Sequence, residues 1–137
     1  MTTELLQGLV SGLLVGCVYA LLGVGFSLTW GAIGVINVAH AAFAVLAAYL
    51  AYFSYAMLKI DPLLTLIIII PLFFVIGIVL HETLIRSLFS RSVTVGFSSM
   101  VMTFGIAVAL ENVMVQMFTA DPRILKTPYT GISISLG

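Results

Sequence analysis

An all-α bundle of about four membrane-spanning helices, forming part of one membrane domain over residues 1–137, is the fold class this sequence predicts, and three observations predict it. Of 137 residues, 62% are hydrophobic and 7% charged, and a water-soluble domain has no polar surface large enough to hide that ratio. Leu5 to Leu58 contains no Asp, Glu, Lys or Arg. As one helix that stretch would run roughly 80 Å against a hydrocarbon core of about 30 Å, so it crosses at least twice. Two further apolar stretches, 62–80 and 93–118, each approach the roughly 20 residues a helical crossing needs.

Formal net charge is zero and the five basic residues are not clustered, so the electrostatic footprint of a nucleic-acid binder is missing and membrane lipid is the expected surrounding. The single cysteine, Cys17, excludes an intrachain disulfide and is expected to be a small buried side chain. Met1-Thr2-Thr3-Glu4 offers no basic n-region, and the apolar stretch behind it exceeds a signal-peptide h-region, so the first span is expected to stay.

The first span, about 5–30, sets Gly8, Gly12, Gly16 and Ala20 four residues apart. Such a row forms a groove that lets another helix backbone approach, and in lipid that van der Waals contact drives association. Gly23 and Gly25 are expected to weaken the helix near its far end. Residues 31–37 are apolar and rich in glycine, which fits a solvent turn or a broken helix buried in protein. The second span, about 38–58, places Ala44, Ala48 and Ala51 on one face for packing, and Tyr49, Tyr52 and Tyr55 as an interfacial anchor. Lys59-Ile60-Asp61-Pro62 reads as a short polar turn with proline in the first turn of the next helix.

The third span, 62–80, carries Ile67–Ile70 without a small or polar residue and is expected at the lipid-facing periphery, kinked at Pro71. His81–Ser92 is the longest polar connection, amphipathic and mildly basic. The fourth span, about 93–118, differs in kind: Ser99, Thr103, Ala107 and Glu111 recur every four residues as a small, polar stripe ending in a carboxyl group. Residues 119–137 read as an extramembrane tail, with 132–137 approaching another element.

Gly34-Val-Ile-Asn37-Val-Ala-His40 resembles the signature stretch of the branched-chain amino-acid ABC permease family, in which Gly-x-Ile/Met-Asn-Phe-Ala-His-Gly follows a glycine-rich first helix. Gln7-Gly8, Gly12, Tyr19-Ala20-Leu21, Ala48-Tyr49 and Leu110-Glu111-Asn112 are similar to other parts of the family's pattern, which extends along nearly the whole chain. Two positions depart from it: Ala41 and Ala42 follow His40, and Glu111 stands where glutamine is usual. Relatives with this architecture carry urea or short amides, so the substrate stays open between these and branched-chain amino acids.

The resemblance implies a multi-pass permease subunit of the bacterial inner membrane, paired with a second permease subunit, cytoplasmic ATPase subunits and a periplasmic substrate-binding protein. It implies no cofactor on this chain, since ATP binds the separate ATPase subunits. Family members have a second half with the ATPase-docking loop, so this chain is expected to be an N-terminal portion. A non-transporting membrane assembly subunit is the alternative. The resemblance also puts the N-terminus, Lys59–Pro62 and the tail outside and His81–Ser92 inside. Charge counting is indecisive, with Arg86 and Arg91 inside against Lys59, Arg123 and Lys126 outside.

The candidate pathway residues are Asn37, His40, Ser99, Thr103 and Glu111, each polar where lipid exposure is penalised. His40 either faces substrate or cross-links helices, and Asn37 shares its face if the helix has begun. Glu111, if charged, attracts a substrate amino group; if protonated, it donates a packing hydrogen bond. No His-Glu-x-x-His, Gly-x-Ser-x-Gly or phosphate-cradling glycine loop is present, so an enzyme is not expected, and an intramembrane hydrolase built on Ser98, Ser99 and His40 lacks a nucleophile motif.

Overall fold

The computed structural model describes residues 2–91, 94–119, 121 and 123–125. The start of the expected fourth span at Val93, and most of the expected tail, lie outside the described residues. The elements are α1 (Thr2–Ile33), α2 (His40–Leu58), α3 (Pro62–Leu80), a π-helical turn (His81–Ile85), α4 (Arg86–Arg91) and α5 (Val95–Phe118). Four helical stretches, Glu4–Ile33, His40–Leu58, Pro62–Leu88 and Val95–Phe118, are long and apolar enough to cross a membrane.

Gly23 and Gly25 do not end α1, because without competing water a helix's own hydrogen bonds are the only ones its backbone can make. It ends at Gly34, whose φ of +67° is a left-handed turn that a side chain would strain and whose N–H donates to the Trp30 carbonyl at 2.8 Å. The second helix begins at His40, two residues later than its apolar pattern suggests. It stops at Lys59, which takes φ +56° while its N–H donates to the Tyr55 carbonyl at 3.1 Å. Asp61 then caps α3: its carboxylate accepts the Leu63 N–H at 2.8 Å, with Pro62 in the first turn.

The helix runs on through Pro71. Nor does it break at Leu80 into the expected polar connection. The chain from Ile78 to Val95 contains no glycine or proline, and the backbone continues through the π-helical turn into α4. Glu82 and Arg86 stabilise that continuation as an exposed ion pair, with Arg86 Nη1 2.6 Å from Glu82 Oε2. The Thr83 hydroxyl meanwhile donates to the Val79 carbonyl at 2.6 Å, inside the turn.

The second helix is the hub and packs on both α3 and α5. Its contact with α5 is built from small residues: Ala39, Ala42 and Ala107 are buried with Met114, and Phe43, Leu46, Ile106 and Leu110 close around them. Such small faces bring helix axes close in lipid, where dispersion replaces the hydrophobic effect as the driving force. The third helix is only partly peripheral. Ile67, Ile68 and Ile70 are exposed, but Ile69 is 7% exposed and Thr65 is buried, one turn earlier.

At the far end of α2, the expected tyrosine anchor is an aromatic clamp on the last residue of α5. Tyr49 stacks on Phe118 at 4.9 Å between ring centroids, and Phe53 meets the same ring at 4.9 Å. Arg123 folds back over Tyr52 and Phe53 and donates from Nη2 to the Phe118 carbonyl at 2.8 Å. A cation thus answers the negative end of the α5 dipole and one of its unpaired carbonyls.

The first helix stands apart. Only a short stripe, Leu22, Gly25, Phe26 and Thr29, is half-buried, and everything described from Glu4 to Leu21 is exposed. Cys17 is therefore exposed, not buried as expected, because this half of α1 has no partner helix among the described residues. The same holds for the small-residue row: a Cβ on Gly8, Gly12 or Gly16 would meet nothing within 4 Å, and Ala20 is exposed.

Candidate functional site

Between Gly34 and Ala39, where α1 passes into α2, the backbone is not helical and is partly buried: Val35 is 2% exposed and Ala39 fully buried. Backbone groups of a connection buried in protein must find partners within the protein. The polar stripe of α5 supplies them. Ser99 Oγ accepts the Ile36 N–H at 3.0 Å and donates to the Gly96 carbonyl at 2.8 Å. Thr103 Oγ1 accepts the Val38 N–H at 3.0 Å. Its single proton is shared between the Ile36 carbonyl at 3.1 Å and the Ser99 carbonyl at 2.8 Å. This end of α5 lies against the connection, with the Gly34 carbonyl 3.6 Å from where a Cβ on Gly96 would be, an ordinary van der Waals separation. Ser99 and Thr103 thus act as surrogate helix partners for the break, which follows from their burial at 0% and 3%.

The break opens onto a cavity of about 560 Å³. Leu22, Thr29 and Ile33 of α1 form one wall, and His40, Phe43, Ala44 and Ala47 of α2 another. Opposite them stand α3 from Ile69 to Leu80 and the π-helical turn, which contributes His81, Leu84 and Ile85. Phe43 and Phe73 meet edge to face across the α2–α3 seam, with centroids 6.2 Å apart. The polar groups on these walls are Thr29, Asn37, His40, His81 and Thr103, and none of the lining residues is Asp, Glu, Lys or Arg. A cavity of this size and lining suits an uncharged, aliphatic moiety held by a few placed polar groups.

Asn37 has a buried side-chain oxygen, Oδ1, without a hydrogen-bond partner among the described residues, and leaving such an oxygen unpaired costs about 1–3 kcal/mol.

Of the five residues singled out from the sequence, the fold brings Asn37, His40 and Thr103 to the cavity and places Ser99 directly behind the break. Glu111 is not among them: it lies on an exposed face of α5, away from the lining. A spacing of four advances about 40° round a helix at each step, so the third step after Ser99 has rotated by about 120°. The buried face passes from Ala107 to Met114 instead. Ser99 is engaged with backbone on both sides, so its hydroxyl is not presented as a nucleophile beside His40. The residue pattern does not point to His81, Phe43 or Phe73 as parts of the cavity wall. The π-helical turn that brings His81 to the wall leaves no mark in residue spacing.

Four helices long and apolar enough to cross a membrane define a multi-pass membrane protein. The chain belongs to the family of permease components of the branched-chain amino acid transport system, whose model matches residues 8–135. No curated protein and no solved structure matches it significantly.

Proposed function

We propose that this chain contributes α1–α5 to the membrane-spanning subunit of an ABC importer that carries branched-chain or related neutral amino acids across the bacterial inner membrane. The observation that carries this reading is the interruption at 34–39, pinned by Ser99 and Thr103 and bordering an uncharged, largely apolar cavity. Non-helical backbone tolerated among membrane helices is found where it is buried in protein or lines a cavity, and transporters use such segments to present polar groups to solutes. In such an importer a periplasmic binding protein delivers the amino acid, a second permease subunit completes the path, and ATP on separate cytoplasmic subunits drives alternating access. Asn37 and His40 are the groups of this chain that contact the solute; Ser99 and Thr103 hold them in place. The open glycine row on α1, which borders a groove lined by Glu4, Leu5, Gly8, Leu9, Gly12 and Leu13, is the face for a transmembrane helix from outside these residues.

ATP-dependent uptake of leucine into vesicles holding the assembled importer tests the reading. Asn37→Leu and His40→Leu are each expected to lower the uptake rate about tenfold or more at unchanged complex yield, a loss of at least roughly 1.4 kcal/mol of solute interaction. Ile68→Leu, on the exposed side of α3, is expected to leave it unchanged. Full uptake from both cavity variants would remove the break from the path.

A further inference from the structure

The α1 glycines are not equivalent. A Cβ built at Gly8, Gly12, Gly16, Gly23 or Gly31 would meet nothing within 4 Å, whereas one built at Gly25 would lie 3.0 Å from both Cε1 and Nε2 of His40. That separation is shorter than ordinary van der Waals contact, so the imidazole edge rests in the space that the absent side chain leaves. Gly25 also sits at the centre of the one half-buried stripe of α1, between Leu22 and Thr29, both of which line the cavity. Its carbonyl accepts the Thr29 hydroxyl at 3.0 Å, so the backbone beside the ring is itself pinned. His40, on the other side of the contact, is the first residue of α2 and follows directly on the broken segment.

We propose that Gly25 is a positioning residue: by having no side chain it seats the His40 imidazole against α1, fixing the ring on the cavity wall where α1 meets the bundle. The inference rests on the pathway reading for its consequence in transport, but the seat itself is a matter of packing. Any side chain at position 25 drives the ring towards the cavity, the open side of the contact. A small addition moves it by tenths of an ångström; a branched one displaces it altogether. Gly23, two residues away on the same helix, has space for a side chain and serves as the control.

The test uses the complete importer, purified in detergent for the first of two readouts and reconstituted into vesicles for the second. The first is modification of histidine by diethyl pyrocarbonate, located by mass spectrometry, with His81 as the internal reference. Gly25→Val is expected to raise the labelling rate of His40 severalfold without changing that of His81, while Gly23→Val changes neither. Unchanged His40 labelling in Gly25→Val overturns the seat. The second readout is leucine uptake. Gly25→Val is expected to reduce it about tenfold, in line with the cost of overpacking a filled contact. The same substitution made in a His40→Ala background is expected to cost nothing further, because the ring it displaces is gone. An equal loss in that background would show that Gly25 acts through α1 packing alone and would overturn the positioning role. If His40→Ala by itself keeps full uptake, the pathway reading of His40 falls, and the labelling result still decides the seat.

Discussion

Replacing Ser99 by Ala and Thr103 by Val together is expected to abolish accumulation of the folded protein in the membrane. These two hydroxyls accept the Ile36 and Val38 N–H groups, which have no intrahelical partner because the helix is interrupted there. Each buried donor left unmade costs about 1–3 kcal/mol, and here lipid and apolar side chains offer no substitute. Two lost partners, plus the Ile36 carbonyl that Thr103 also serves, remove a large share of a stability that is typically about 5–15 kcal/mol. Thr103→Val is expected to be worse than Ser99→Ala, since Thr103 answers both an N–H and a carbonyl of the break while Ser99 answers one N–H. Thr103→Ser keeps the oxygen and is expected to stay close to wild type. The yield of monodisperse protein in detergent and its melting temperature measure the series. A double variant that melts like the wild type would mean that the break is not held by α5.

Filling the cavity is expected to stop transport without unfolding the protein. Ala44 and Ala47 line the cavity from α2, whereas Ala48 is exposed. Ala44→Phe places a ring in the open space between α2 and α3, beside the Phe43–Phe73 pair. Because the space is empty, the ring needs no repacking of a filled core, so complex yield is expected to stay near wild type. Uptake is expected to fall by about two orders of magnitude, the effect of sterically occluding the proposed route. Ala48→Phe adds the same ring to a surface that lipid accommodates and is expected to transport normally. Initial uptake rates, normalised to complex yield, separate the two. Equal rates for Ala44→Phe and wild type would place the path elsewhere.

Much of this arrangement is legible in the sequence because lipid makes polarity expensive. The stripe of Ser99, Thr103 and Ala107 stands out against the surrounding apolar residues, and it is the buried face of α5. Gly34 and the uncharged segment after it signal an interruption, and their apolarity admits the buried break found there. Glu111 lies off the buried face because four-residue spacing drifts round the helix, so the last member of the row leaves the face its first member defines. His81–Arg91 misleads in the opposite direction: polar residues suggest a loop, but without glycine or proline the helix has no reason to stop. The Gly25–His40 contact is invisible in principle to spacing, since it joins two helices across the break and Gly23 looks the same on paper. The glycine row on α1 is legible as a groove, yet no described residue of this chain fills it.

If the cavity beside residues 34–39 carries the solute, a thiol at position 47 senses its passage. In a Cys17→Ser background, Ala47→Cys reports from the cavity wall and Ala48→Cys from the exposed side of the same helix. A small water-soluble thiol reagent is expected to modify the Ala47→Cys importer. Leucine-loaded binding protein with ATP is expected to change this rate severalfold, while the Ala48→Cys importer does not respond. A rate at position 47 that is indifferent to leucine, binding protein and ATP, in an importer shown to be transporting, would contradict a solute path through the cavity.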